Sequence, residues 1–480
     1  MTPRRLLLHG GFVYTASPER PCLDQGWVLV IGDTIAALGG PDEPEPDHDE
    51  RWSAHGKLVL PGFVNPHWHE SFVAPCHERP DDRDLQRTAF AAGGDIEALG
   101  SIFGFIAGVG KRLTHEEALA IARYSMWTQL RSGTTALGDL GSANTADAMA
   151  EAAIELGMRI RVSRWGADIM IPRGATTVRK VADTREQIDD WEALMDRWNA
   201  HPSGLVGGMP SVMGAFGSSD EQLAAMGEIA RRYDAPYATH LAPLRNEREA
   251  VQAVFGRSPI ERFEDHGLLT DRLLAVHTAY ANEREYRLLL ERGVHICHAP
   301  AHYGMLGEQT MSGTRQLVRF IRDGARVSCS TDGDVTYTGG MPEAMRACHL
   351  GHNEVSNDNT TCPPTLVLTM ATRHGAAALG WGERIGALEP GKRADIVLVD
   401  IDDWRYRLGN HPLRTFLVCG NSKDVDTVFV AGEVVLREGR STRFDERELW
   451  DDYLRAATSA RARLGEPRAA LATPPCEAPR

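Results

Sequence analysis

The chain has 480 residues, more than one small core normally holds, and its 42% hydrophobic and 25% charged residues are the balance of a soluble globular protein. A net charge of −14 argues against a general binder of nucleic acid or of anionic membranes. No apolar run approaches the roughly 20 residues that span a bilayer. The eight cysteines (Cys22, Cys76, Cys297, Cys329, Cys348, Cys362, Cys419 and Cys476) are scattered without a C-x-x-C pair, as expected of reduced thiols in a cytoplasmic protein.

From the N-terminus, MTPRRLLLHGGFVYTA has too short an apolar run for a signal segment and reads as a first strand. Residues 4 to about 60 continue as short strands broken by turns. Then comes PGFVNPHWHE, residues 61–70. Alternate side chains of a strand share a face, so His67 and His69 aim two imidazoles at one point while Trp68 turns away. Two neutral imidazoles on one point suit a divalent transition metal. The segments AFAAGG and SIFGFIAGVG that follow are apolar and Gly-rich, with Phe103 and Phe105 placed to face an apolar ligand. Thr114 and Glu117 form a capping-box pair that opens a helix, and TTALGD (134–139) follows it as a second strand.

Strand-like and helical runs alternate from there. RIRVSRW, GLVGGMPSV, PYATHL, LLAVHTAY, GVHICHAP and ARVSCSTDGD bring the strand count to eight, which predicts a (β/α)8 barrel over 61–385. Chemistry in such barrels sits at the C-terminal strand ends. Here those ends carry His67 and His69, His240, His277 and Asp332. Their convergence predicts one metal centre. After about 385 the short-strand style returns in ADIVLVDID and DTVFVAGEVVLREG. Residues 1–60 and 386–445 are therefore expected to build one small β-sandwich domain. Residues 446–480 are expected to be a helix and a poorly ordered tail rich in Pro and Ala.

These motifs resemble the amidohydrolase superfamily. PGFVNPHWH is similar to its PGFxNxHxH motif, and GALEPGKRADIVLVD to its GxLxxGKxADxVxxD signature. Within the superfamily the chain is similar to the branch of chlorotriazine hydrolases and aromatic-base deaminases. The resemblance implies one divalent ion, zinc before iron, manganese or cobalt, held by His67, His69, His240 and Asp332. It also implies that His277 either completes the shell or orients the attacking water, and that Asp332 is the general base. The family's usual fourth-strand lysine has no counterpart in GLVGGMPSVMG, so a two-metal centre is not expected. A small-molecule substrate and a homo-oligomer are expected as well.

Two departures shape the functional expectation. The branch reads H-x-x-E after the fifth strand, and that Glu moves protons to a ring nitrogen; here Pro243 stands in its place. After the seventh strand the chain reads His298-Ala299-Pro300-Ala301-His302-Tyr303, where relatives read HCPxSN. Glu70, Glu247, His302 and Tyr303 are the groups available to replace the missing acid, although Glu247 lies in a charged run typical of a solvated helix start. His302 is the preferred helper in catalysis, and Trp68, Glu70, Tyr303, Phe103 and Phe105 are the residues expected to meet substrate. A similar loss of the Glu in phenylurea and thiocarbamate hydrolases favours hydrolysis of a urea, carbamate or amide carbonyl. The alternatives are an aminohydrolase or chlorohydrolase of a nitrogen heterocycle and, from another class, an inactive metal-binding scaffold.

Overall fold

The structure is a computed structural model that describes residues 3–70, 96–333, 339–407, 409 and 411–464. The AFAAGG segment and the tail after Leu464 lie outside the described residues.

The middle of the chain forms two parallel sheets. The four-stranded sheet pairs Phe63–Trp68, Thr134–Asp139, Arg159–Val162 and Val206–Gly208 in that order. The six-stranded sheet runs Trp165–Gly166, Ser211–Gly214, Tyr237–Leu241, Leu273–His277, His295–His298 and Val327–Cys329. Two short segments of the first sheet continue into the second across irregular residues: Val162 leads to Trp165, and Gly208 to Ser211. At the outer limits of the sheets the backbone N–H of Asp332 donates to His67 O at 3.2 Å. Asn65 of the PGFVN run reinforces this contact. Its side-chain amide donates to Thr331 Oγ1 at 2.7 Å and its Oδ1 accepts from Thr331 N at 3.2 Å.

Helices alternate with these strands, and their starts follow local chemistry. Thr114 and Glu117 make the predicted capping box on His115–Arg131. Ser219 caps Asp220–Arg232 and Asn282 caps Glu283–Glu291, each side chain accepting an otherwise unpaired first-turn N–H. The C-terminal helix Glu446–Leu464 packs on His115–Arg131 through the Arg463–Glu117 ion pair and a stack of Tyr124 on Tyr453.

The two ends of the chain pair directly. Lys57–Pro61 runs antiparallel to Ile396–Asp400, in register from Lys57 with Asp400 to Pro61 with Ile396. The hydrogen bonding forms a single nine-stranded sheet that also takes in Arg5–Tyr14, Cys22–Ile31 and Val425–Val430. Leu8, Val28, Val59, Ile396 and Phe429 form a core of its own. Asp395 links this sheet to the parallel strands: it takes both arms of the Arg159 guanidinium, at 2.7 and 2.9 Å, with both side chains almost fully buried. No helix among the described residues is long and apolar enough to cross a membrane.

Candidate metal centre and active site

The strand ends converge as their spacing predicts. His67 and His69 leave the first strand and meet His240 of the fifth, with His69 Nε2 3.2 Å from His240 Nε2. Asp332 sits among them. Its carboxylate oxygens lie 3.2 Å from His67 Nε2, 3.7 Å from His69 Nε2 and 3.6 Å from His277 Nε2. His67, His240 and His277 form one compact donor set, and His67, His69 and Asp332 a second that shares His67.

Local backbone geometry helps to aim these groups. His277 and Asp332 both adopt the left-handed region, at φ 69° and 58°. Non-glycine residues rarely do so, and holding one there costs of order 1–3 kcal/mol. The strand ends thus turn sharply where the side chains must point inward. His240 is fixed by its Nδ1, which donates to Met213 O at 2.8 Å and leaves Nε2 as a lone-pair donor. His277 is fixed by a 2.8 Å hydrogen bond between Nδ1 and the Tyr303 hydroxyl.

The electrostatics favour a cation. Burial depresses the pKa of His69 and His277 well below the usual imidazole value and that of His240 to about 4, so all three are neutral. Burial pushes Asp332 upward, but the surrounding imidazoles of His302 and His67 outweigh it and hold the carboxyl well below its ordinary range. Despite these approaches, neither nitrogen of His67, nor His69 Nδ1, nor Asp332 Oδ2 makes an aligned hydrogen bond. Buried polar atoms are normally satisfied, and a divalent ion fits this set of convergent, unsatisfied nitrogen and oxygen donors.

His302 lies beside the centre, with Nε2 3.8 Å from Asp332 Oδ2. It also stands 3.1 Å from Glu308 Oε1, a carboxylate that the sequence reading missed because it lies in the loop after the Pro300–Leu306 helix. Tyr303 is buried against His277. Phe103 packs on His69 with ring centroids 5.4 Å apart, and Trp165 covers both His69 and His240 at 5.4 and 5.3 Å. Trp165 stands in the RIRVSRW run, which reads only as a strand. Its only sequence signal was its place at the end of the third strand. Beyond these two rings lies a cavity of about 240 Å³, bounded by Phe103, Trp165, Met213, Met170, Arg164 and Asp190.

Other residues fall elsewhere. Trp68 is buried in the main hydrophobic core, on the face that strand alternation gives it. Glu70 is buried beneath the centre and accepts from Ser125 Oγ at 3.0 Å. Burial, with Glu70 nearby, raises the neighbouring Asp139 to a pKa of about 8. Phe105 belongs to the Ile96–Gly110 helix, but its side chain lies outside the described ones. Glu247 is not the solvated residue that its charged run suggests. It is fully buried near Arg262, and burial raises its pKa well above the ordinary carboxyl value.

Comparison with known proteins identifies the family. Residues 58–435 match the amidohydrolase family. A 5-methylthioadenosine/S-adenosylhomocysteine deaminase of Desulforudis audaxviator is 30% identical over 472 residues, covering 96% of this chain and 99% of its own. An adenosine deaminase from Xanthomonas campestris with bound zinc has a TM-score of 0.81 at 24% identity, covering 96% of this chain and 99% of its own. The zinc complex of an atrazine chlorohydrolase from Arthrobacter aurescens has a TM-score of 0.82 at 22% identity, covering 94% and 100%. A family match over most of the chain, together with a strand-end cluster built for a divalent ion, makes this protein a member of the amidohydrolase family, an enzyme that hydrolyses C–N bonds with a metal.

Proposed function

We propose that this enzyme is an aminohydrolase of a nitrogen heterocycle, with an aminopurine nucleoside as its substrate class. The observation that carries this reading is the His302–Glu308 pair beside Asp332. Displacing an amino group from an aromatic ring requires a proton for the ring nitrogen and another for the departing nitrogen. Pro243 supplies neither, which pointed toward a urea or carbamate carbonyl. Glu308, which lies in another loop, sets a carboxylate 3.1 Å from His302 and weakens that objection. The deaminase named above supports the same class.

In this reading His67, His69, His240 and Asp332 hold one ion, zinc by analogy with the two solved zinc structures. When bound, such an ion lowers the pKa of its water toward about 7 and polarises the group under attack. Asp332 accepts the water's proton. His277, its ring set by Tyr303, orients the attacking oxygen. His302 carries a proton to the ring nitrogen, Asp332 passes the water's proton to the departing amino group, and His302 recovers a proton from the added hydroxyl as the C–N bond breaks; Glu308 Oε1 lies 3.1 Å from His302 Nε2. Phe103 and Trp165 offer the base a flat apolar wall, with the sugar directed into the adjoining cavity. The two parallel sheets read as one (β/α)8 barrel closed between Asp332 and His67, with a composite β-domain from 1–60 and 386–445 beside it.

Pro243 still favours the second reading, attack on a urea, carbamate or thiocarbamate carbonyl. Ammonia release from 5′-substituted adenosines, aminotriazines and adenine, measured beside amine release from arylureas and thiocarbamates, separates the two. The aminohydrolase reading expects ammonia from a purine nucleoside. Turnover confined to ureas or carbamates would reject it.

A further inference from the structure

A second group of donors lies outside the centre around Asp332. His298 ends the seventh parallel strand. Cys348 and His352 are four apart on the helix Met341–Ser356, a spacing that puts both on one helical face. Cys362 lies in the turn before the next helix, Pro364–Thr369. All four side chains are fully buried, although three separate stretches of chain supply them. His298 Nε2 is 2.9 Å from His352 Nε2 and 3.5 Å from Cys348 Sγ, and Cys348 Sγ is 3.7 Å from Cys362 Sγ.

We infer that His298, His352 and Cys348 form a separate structural site for a Zn²⁺-type d¹⁰ cation, with the Cys362 sulfur beside Cys348 at its edge. Ligand spacing supports this. Zn–N bonds of about 2.0–2.1 Å and Zn–S bonds of about 2.3 Å at tetrahedral angles put N and S about 3.5 Å apart. The observed 3.5 Å between His298 Nε2 and Cys348 Sγ matches that value. The two nitrogens need to open from 2.9 Å to about 3.3 Å, a side-chain adjustment of a few tenths of an ångström.

The support around the site has the same character. His298 Nδ1 donates to Ser328 O at 2.8 Å, which fixes the tautomer and leaves Nε2 as a lone pair facing the other donors. A backbone carbonyl behind a ligating imidazole is a recurrent feature of zinc sites. His352 Nδ1 has no partner, so the ring is not held there by a competing hydrogen bond. The Met370 thioether, 3.9 Å from Cys348 Sγ, adds a further soft atom at the edge. Among the described residues no hydrogen bond or ion pair joins His298, Cys348 or His352 to His67, His240, His277 or Asp332. The site therefore ties the seventh strand to the helix after the eighth rather than serving the reaction.

The test strips the full-length protein with a chelator, restores Zn²⁺ and counts metal by elemental analysis. Two equivalents per chain are expected for the wild type. One is expected for Cys348→Ser, with turnover retained, and one for His67→Ala/His69→Ala, with turnover lost. Because no cysteine belongs to the donor sets around Asp332, loading the wild type with Co²⁺ gives a second readout. A thiolate-to-cobalt charge-transfer band is expected and should vanish in Cys348→Ser. A single zinc per wild-type chain together with no thiolate band would overturn the inference. So would a native Cys348–Cys362 disulfide found by mass spectrometry.

Discussion

His302 stands between two carboxylates, 3.1 Å from Glu308 Oε1 and 3.8 Å from Asp332 Oδ2. An imidazole so placed can take a proton from one side and pass it toward substrate. His302→Asn is expected to lower kcat at least about 10²-fold, the lower end for a general acid–base group, with metal content unchanged. Glu308→Gln is expected to lower kcat less, because the imidazole keeps its place and loses only a neighbouring carboxylate charge. Full activity of both variants on a nucleoside would show that the pair only lines the wall.

In the proposed mechanism Asp332 combines a ligand position with the role of proton acceptor. Asp332→Asn keeps the shape but cannot take the water's proton, so turnover should fall below detection while circular dichroism stays native. Near-normal kcat in this variant would move the base elsewhere.

Metal removal gives an independent check on the same centre. Dialysis against a chelator is expected to abolish turnover and stoichiometric Zn²⁺ to restore it in the wild type. In His67→Ala/His69→Ala the added Zn²⁺ should restore nothing. Persistent activity in a preparation shown to contain no metal would contradict the centre described here.

Arg159 and Asp395 form a buried bidentate pair between the parallel strands and the composite sheet. Removing one partner leaves the other charge buried and unpaired, which typically costs 3–5 kcal/mol. Arg159→Ala is therefore expected to lower the melting temperature by several degrees or to prevent folding, and Asp395→Asn to do the same. A variant within about 0.5 kcal/mol of wild type by denaturant melts would show that the pair contributes little.

Glu247 predicts a pH dependence of stability. Both its carboxyl oxygens lack a partner, and burial raises its pKa in the fold well above the ordinary carboxyl value. Between the unfolded pKa and the raised folded one, the folded state binds more protons than the unfolded state. Stability is then full below the unfolded pKa and falls as pH rises toward the folded one, with a slope of up to about 1.4 kcal/mol per pH unit. Glu247→Gln should flatten the fall as pH rises above the ordinary carboxyl range. An identical pH profile in this variant would show that Glu247 does not carry it.

The sequence by itself determined what is local or periodic. Strand alternation placed His67 and His69 on one face, and strand-end positions singled out His240, His277 and Asp332. The Thr114–Glu117 cap followed from a spacing of three residues. The composite sheet was legible because both ends share a short-strand style, though only the structure showed them as one hydrogen-bonded sheet. Tertiary structure alone decided which distant side chains meet. Glu308 reaches His302 because a helix and loop fold back over the strand ends. Trp165 becomes a wall because the third strand breaks and turns inward. Glu247 is buried although its neighbours are charged, since a helix's first turn takes its environment from what packs on it. His298, Cys348, His352 and Cys362 converge from three segments separated by up to 64 residues, counting from His298 to Cys362. No local pattern encodes such meetings, because they are set by the paths of loops and helices between strands.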